Sequence, residues 1–367
     1  MKRILLTMAM LLLSGVCLAQ ERATMSQEQI AKAVENTIEK YNHRSKSGYE
    51  RLSADDLVAI ADNVLLYQNE DGGWAKNLDM MSKLPPKEVI VALPAHRRRS
   101  TIDNQTVYPE IALLSTVYTV TGDERYRLAA ERALEYLLST QYPNGGWRGW
   151  DADAITFNDG VTGNVMNLWL DVMKHKEQYD WLSKEYRERI AKSFDKALEC
   201  VLRCQYVQNG VKTVWAQQYD HQTFEPCKAR AYEFPGLAAG ESAGLVEMLM
   251  RISKPSAEVI DAVKCAVEWF ERSKIEGIRL KIVAIPEDER EEEGVTKTRV
   301  LVKDPDAKPM WARYYELDTN RPFFSDRRGE KLYDYMEISQ ERRAGYGWYG
   351  YWGERLQEKY EKWKKKL

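Results

Sequence analysis

Three copies of one turn, about seventy residues apart, constrain this chain more than any other feature. Glu70-Asp71-Gly72-Gly73-Trp74 and Pro143-Asn144-Gly145-Gly146-Trp147 share one pattern, and Asn209-Gly210 with Trp215 is a degenerate third copy. Successive tryptophans are 73 and 68 residues apart, and each turn follows an amphipathic stretch ending in Gln68, Gln141 or Gln205. Before Gln141, the residues Tyr126, Ala129, Ala130, Ala133, Leu134, Leu137 and Leu138 follow the 3.6-residue period of a helix with one buried face. Asp123 is placed to cap that helix, and Ser53 with Asp56 and Ser183 mark the starts of its counterparts. A fourth such stretch, Val259 to Phe270, lacks the turn. A second helical pattern fills the gaps near Tyr108–Thr119, Val161–Met173 and Ala243–Ile252. Helix pairs repeating at this period imply stacked or ringed αα-hairpins. If every turn sits at one end of its hairpin, the segments after it share a rim. Asp103, Asp159 and Arg230 follow the three tryptophans by 29, 12 and 15 residues, so they converge on that rim. The glycines read as helix ends. Trp74 and Trp147 read either as packed indoles or as platforms for stacking on a sugar.

The N-terminus reads as an export signal. Lys2 and Arg3 precede an apolar run from Ile4 to Val16, and Cys17-Leu18-Ala19 offers a cleavage site after Ala19. The run is too short to span a membrane stably, and Val16 is a poor residue before a lipidated cysteine. The expectation is a secreted or periplasmic protein whose residues 20–367 form one catalytic domain, with no membrane span. Removing Lys2 and Arg3 takes the formal charge from -2 to -4, and 54 basic against 56 acidic residues create no global basic field, which argues against nucleic acid as a partner. Cys200, Cys204, Cys227 and Cys265 are too few for a disulfide scaffold, and the helical spacing of the first two reads as free core thiols. The four histidines (His43, His96, His175, His221) are scattered, so a histidine metal centre or triad is hard to assemble.

The chemistry lies in another repeated pattern, Ala-Arg-x-Tyr-Glu, which occurs as Ala229–Glu233 and Ala312–Glu316. Two carboxylate–amide pairs, Asp103-Asn104 and Asn158-Asp159, lie upstream. Arginine binds carboxylates through a planar fork, and carboxylates with amides suit hard cations such as calcium. A site with both fits an acidic polysaccharide whose carboxylates are clamped by arginine and bridged by metal. Plain buried ion pairs are the competing reading. His96-Arg97-Arg98-Arg99 reads as either a remote carboxylate subsite or a solvated basic loop.

After about Gly277 the pattern changes. Ile278–Ile285 and Thr298–Lys303 read as short strands flanking an acidic run, Glu287–Glu293, taken as a solvated hairpin tip rather than a calcium loop. Lys303–Asp326 is extended and rich in proline and aromatics; Glu341–Trp352 and a basic C-terminal helix read as packing that closes the ring.

Taken in order, the segments Asn69–Asn77, Ser100–Asn104, Ile155–Asp159, Trp215–Asp220, Ala229–Met248, Asp304–Arg328 and Glu341–Gly350 resemble the family 10 polysaccharide lyases, which are pectate lyases. The resemblance implies a mainly all-α fold, an incomplete (α/α)3 toroid of helical hairpins with short antiparallel strands near the C-terminus. It implies catalytic roles for Arg230 (the proposed base), Asp103 and Arg313, and substrate binding by Arg313, Lys76 and Asn104. It also implies calcium held by Asp159, Asp103 and Asn104, with polygalacturonate as substrate and a monomeric enzyme. Two departures stand out. Gln105–Pro109 replaces the small residues and threonines common after Asp-Asn, and Gly160 stands where a further aspartate is common. The implied reaction is β-elimination at C5 of galacturonate. A free arginine titrates at about 12.5–13.8, so either neighbouring cations depress Arg230 enough for it to act as base, or it stays a cationic clamp and solvent takes the proton. An inverting glycoside hydrolase built on Asp103 and Asp159, or a non-catalytic acidic-polysaccharide-binding protein, are the alternatives.

Overall fold

The computed structural model describes residues 25–43, 49–83 and 99–367. The expected export signal and the basic residues His96–Arg98 lie outside them. The chain divides into two compact units: one holds the described residues up to Ser139 together with Asp171–Ile190, the other Thr140–Leu170 with Ala191–Leu367. No helix among the described residues is long and apolar enough to cross a membrane.

The fold is mainly helical, as expected. In chain order the helices are α1 (Gln27–His43), α2 (Leu57–Tyr67), α3 (Tyr108–Thr121), α4 (Glu124–Ser139), α5 (Val161–Met173), α6 (Lys184–Cys204), α7 (Ala239–Leu249), α8 (Ala257–Ser273), α9 (Gln340–Gly345) and α10 (Leu356–Lys364). The repeat pattern located α4, α5 and α8 closely. Asp123 accepts from the Arg125 amide at 3.0 Å, Ser183 from Tyr186 and Ser256 from Val259, each satisfying an N-terminal amide that has no partner within its helix. The periodic residues of α4, from Tyr126 to Leu137, are buried.

The repeated glutamine and glycines now have a physical account. Each glutamine side-chain amide donates to two backbone carbonyls, one in its own turn and one on a later helix. Gln68 donates to Gly72 and Ala129, Gln141 to Gly145 and Ser193, and Gln205 to Thr213 and Ala262, all at 2.8–2.9 Å. One side chain thus satisfies two carbonyls and stitches a turn to the helix after next. The first glycine of each full turn has a positive φ, +89° at Gly72 and +97° at Gly145. A Cβ there would lie 2.3 Å from the Arg132 carbonyl or 2.0 Å from that of Lys196. At Gly210, where φ is +81°, a Cβ would meet nothing within 4 Å.

The indoles resolve in favour of packing. Trp74 and Trp147 are fully buried, and Trp74 Nε1 donates to the Val64 carbonyl at 2.8 Å. Neither presents a face to a sugar, so their assignment as substrate-binding residues is corrected: a ring sealed under its own turn contributes to the core.

The strands are β1 (Ala154–Thr156), β2 (Val207–Gln208), β3 (Val211–Lys212), β4 (Gln218–Asp220), β5 (Leu237–Ala238), β6 (Ile278–Ala284), β7 (Lys297–Lys303), β8 (Trp311–Ala312), β9 (Tyr314–Tyr315), β10 (Pro322–Ser325), β11 (Lys331–Leu332) and β12 (Tyr349–Gly350). The expected hairpin is β6–β7, antiparallel from Ile278↔Lys303 to Ala284↔Lys297, with the acidic run exposed at its tip. In the second unit β5 pairs with β9, β9 with β10 and β10 with β11, while β12 pairs with β8. These short pairings bring residues 237, 312–315 and 349 together and position the second arginine. Cys200 and Cys204 are buried free thiols.

Candidate active site

The two carboxylate–amide pairs fold alike. After each full turn, the tryptophan carbonyl accepts from a returning threonine amide, Thr101 or Thr156, at 3.0 and 2.9 Å. Two residues later a 3₁₀ turn begins, Asp103–Gln105 in the first unit and Asn158–Gly160 in the second. Each has a left-handed second residue: Asn104 at φ 51° and Asp159 at φ 50°. Asp103 is therefore the counterpart of Asn158, and Asn104 of Asp159. Asparagine and aspartate tolerate this conformation better than other side chains. The third residue, Gln105 or Gly160, is also left-handed at φ 59° or 70°. A Cβ on Gly160 would lie 2.3 Å from the Asn164 amide nitrogen, so Asn164 occupies the space that an aspartate at 160 would need.

In the first unit Asp103 is buried, and its Oδ2 accepts from Lys76 Nζ at 2.5 Å. Asn104 donates to Asn77 Oδ1 at 3.1 Å. The structure therefore brings together Lys76 and Asp103, with Asn104 beside them on the same turn.

In the second unit the two arginines are wired differently despite their shared motif. Ala229–Glu233 is a turn, closed by the Glu233 amide donating to the Arg230 carbonyl at 2.9 Å. It folds the acid back beneath its own arginine: Arg230 Nη2 donates to Glu233 Oε1 at 2.5 Å, and the Arg230 amide to Oε2 at 3.2 Å. Ala312–Glu316 is extended across β8 and β9, which separates its arginine from its acid. Glu316 instead accepts from Lys331 and Tyr333, and Arg313 Nη2 donates to Glu241 Oε1 at 2.7 Å and Asn158 Oδ1 at 3.2 Å. Gln217 binds the same two acceptors, at 3.1 and 2.9 Å.

Tyr346 joins the two arginines. Its hydroxyl donates to Glu233 Oε1 at 3.0 Å and lies 2.8 Å from the Tyr314 hydroxyl. Its ring centroid is 4.8 Å from the Arg313 guanidinium and 6.0 Å from that of Arg230. The result is a continuous chain, Arg230–Glu233–Tyr346–Arg313–Glu241. In it and beside it, Arg230 Nε, Arg313 Nε, Glu241 Oε2 and Gln217 Oε1 are buried without a hydrogen-bond partner, although Asp151 Oδ2 lies 3.7 Å from Arg230 Nε. Unsatisfied polar atoms gathered in this way are the mark of a site that takes a polar ligand.

Burial is the largest single influence on both arginines and opposes their charge, but Glu233 with Tyr232 and Tyr346 around Arg230, and Glu241 with Tyr314 and Tyr346 around Arg313, together outweigh it, so both are held above their ordinary values. Burial likewise raises the Tyr346 hydroxyl, which stays a protonated donor. Sequence reading overlooked Glu233, Glu241, Gln217 and Tyr346. Only Glu233 carried a signal, as the acid of the motif itself.

Asp103, Asn104 and Asp159 carry oxygens of the kind calcium takes, and substrate carboxylates would have to complete the shell. Among the described residues no three His, Cys, Asp or Glu side chains gather to hold a metal. Asp103 is neutralised by Lys76, and Asp159 is exposed.

A sequence model of the pectic acid lyases matches residues 68–357. Two solved structures of a family 10 polysaccharide lyase from Cellvibrio cellulosa are similar. The native enzyme is 29% identical with a TM-score of 0.71, over 93% of this chain and 98% of that one. An aspartate-to-alanine mutant in complex with trigalacturonic acid gives 29% and 0.71, over 93% and 99%. No curated protein matches the sequence. The likeness to the solved enzyme carries the helical toroid class of the fold. The matched span takes in Lys76, Asp103, Asp159, Arg230, Arg313 and Tyr346, and the chain belongs to the pectic acid lyase family and is a polysaccharide lyase.

Proposed function

We propose that the enzyme is a pectate lyase that cleaves polygalacturonate by β-elimination. The chain of Arg230, Glu233, Tyr346, Arg313 and Glu241 carries this reading. It sets two guanidiniums on one tyrosine ring, each anchored by a buried acid and each with an N–H left without a hydrogen bond. Such an array suits a substrate with a carboxylate on every sugar, and the related enzyme binds trigalacturonic acid.

In the reaction a base removes the C5 proton, which the adjacent carboxylate acidifies. The electron pair forms the C4=C5 double bond, the C4–O bond breaks, and the departing oxygen takes a proton from solvent. Arg313, fixed by Glu241 and Asn158, stabilises the negative charge that builds on the carboxylate. Arg230 is the expected base, but Glu233 holds it cationic. Releasing a proton from a group titrating at about 12.5 costs about 3.4 kcal/mol at pH 10, before Glu233 is counted. The base role therefore requires alkaline conditions; the competing role, a clamp on the uronate, is favoured by the ion pair itself.

Calcium is expected to arrive with the polyuronate, with Asp159 as one ligand. When bound, it would neutralise charge on the substrate carboxylates. The protein is expected to act outside the cytoplasm as a monomer. The test is incubation with polygalacturonate at alkaline pH, with and without chelator, followed in the near ultraviolet. Unsaturated products support the proposal. New reducing ends without ultraviolet gain identify a hydrolase, and neither signal identifies a binding protein.

A further inference from the structure

Beside Arg230, the second unit holds a cluster of cations that the catalytic chain does not use. Tyr232 is buried, with three guanidiniums around its ring: Arg342 at 5.2 Å, Arg230 at 5.3 Å and Arg327 at 5.9 Å from the centroid. Three carboxylates serve these three cations, but two of them go to Arg230, whose Nε also lies 3.7 Å from Asp151. Glu233 takes Arg230, and Glu341 is shared by Arg342 and Arg327. Lys228 adds a fourth cation that makes no ion pair among the described residues. Its ammonium lies over the Phe234 ring at 4.1 Å and is 4.0 Å from where a Cβ on Gly329 would be, in the loop that carries Arg327.

The sharing of Glu341 is unequal. Arg342, almost wholly buried, grips both carboxylate oxygens through Nε and Nη2. Arg327 reaches the same oxygens at 3.3 Å each and is 64% exposed. Arg327 is therefore the partner that can leave, because Glu341 stays paired without it. A guanidinium near solvent, loosely held and bordered by an unpaired lysine, is built to accept another carboxylate through its fork.

We infer that Arg327, backed by Arg342 and Lys228, forms a second carboxylate-binding subsite that grips a further uronate of the chain lying across Arg230. Both guanidiniums lie within 6 Å of one ring centroid, so the two carboxylates they hold belong to near-neighbour sugars. The subsite rests on the pectate reading for the identity of its ligand. Its function is affinity and selection: it favours stretches of unesterified galacturonate, because a methyl ester offers the fork no charge.

Two measurements on the full-length protein test this. In affinity electrophoresis through gels containing polygalacturonate, the wild type should be retarded, and Arg327→Ala and Lys228→Ala clearly less so. With oligogalacturonates of increasing length followed in the near ultraviolet, Arg327→Ala should lower kcat/KM about tenfold on polymer and progressively less as the substrate shortens. Equal loss at every length, or no loss with retardation unchanged, overturns the inference. Retardation that depends on Arg327, without ultraviolet product from the wild type, sinks the lyase specificity while the carboxylate subsite stands. Arg327 is largely exposed, so its removal leaves the core intact, and an unchanged melting temperature checks this.

Discussion

Replacing Glu233 by glutamine separates the two roles open to Arg230. The substitution keeps the shape of the side chain and an oxygen for the Tyr346 hydroxyl, but it removes the charge that pins the guanidinium. Opposite charges about 4 Å apart interact by about 4 kcal/mol at an effective dielectric of about 20. Arg230 is 35% exposed, so solvent screening reduces this to about 2 kcal/mol. At 1.36 kcal/mol per unit, the Arg230 pKa should fall by about 1.5. Glu233 raises Arg230, so its removal lowers it, and the fraction of neutral arginine below the titration midpoint rises about thirtyfold. The assay is initial rate on polygalacturonate from about pH 7 to 11, followed in the near ultraviolet. If Arg230 is the base, the alkaline limb of the profile moves to lower pH by one to two units, and the rate on its acid side rises despite some loss of alignment. A limb that stays in place while kcat falls at every pH refutes the base assignment and leaves Arg230 as a clamp.

Other expectations follow from the same structure. Gly145→Ala should cost several kcal/mol, about 2–4, because the new Cβ would lie 2.0 Å from the Lys196 carbonyl, whereas Gly210→Ala should cost only about 1 from its positive φ; chemical denaturation of the two variants compares them directly. Arg342 first, and then Arg327, depress the Glu341 carboxyl to about 2. A carboxyl lowered on folding contributes stability that is present above its unfolded pKa of about 4.3 and is lost as pH falls toward the folded value. Glu341→Gln should therefore melt lower than wild type at neutral pH, by at most about 3 kcal/mol, with the difference shrinking toward pH 2. Calorimetric titration of the free protein with calcium should show weak binding that tightens when polygalacturonate is present, and Asp159→Ala should raise the calcium needed for half-maximal rate. Tight binding to the free protein, unaffected by Asp159→Ala, would place the ion elsewhere.

The architecture was legible along the chain because it is local and repeated. Amphipathic periods placed the helices, and the recurrence of Gln, Gly-Gly and Trp marked where each hairpin turns. The same side chain meets the same backbone groups each time, as Gln68 and Gln141 do. Asp103, Asn104, Lys76, Arg230 and Arg313 could be picked out as candidates, through motifs that resemble those of the family. The wiring between them was not. Glu241 lies 72 residues from Arg313 and Asn158 lies 155, and nothing along the sequence says that a two-residue strand will bring them within hydrogen-bonding distance. Two five-residue motifs that differ only at their third position diverged because one is a turn and the other a strand; backbone geometry decides which acid each arginine meets. The burial of Trp74 and Trp147 was decided in the same way, since an indole suits a core and a sugar equally well until the surrounding helices close over it.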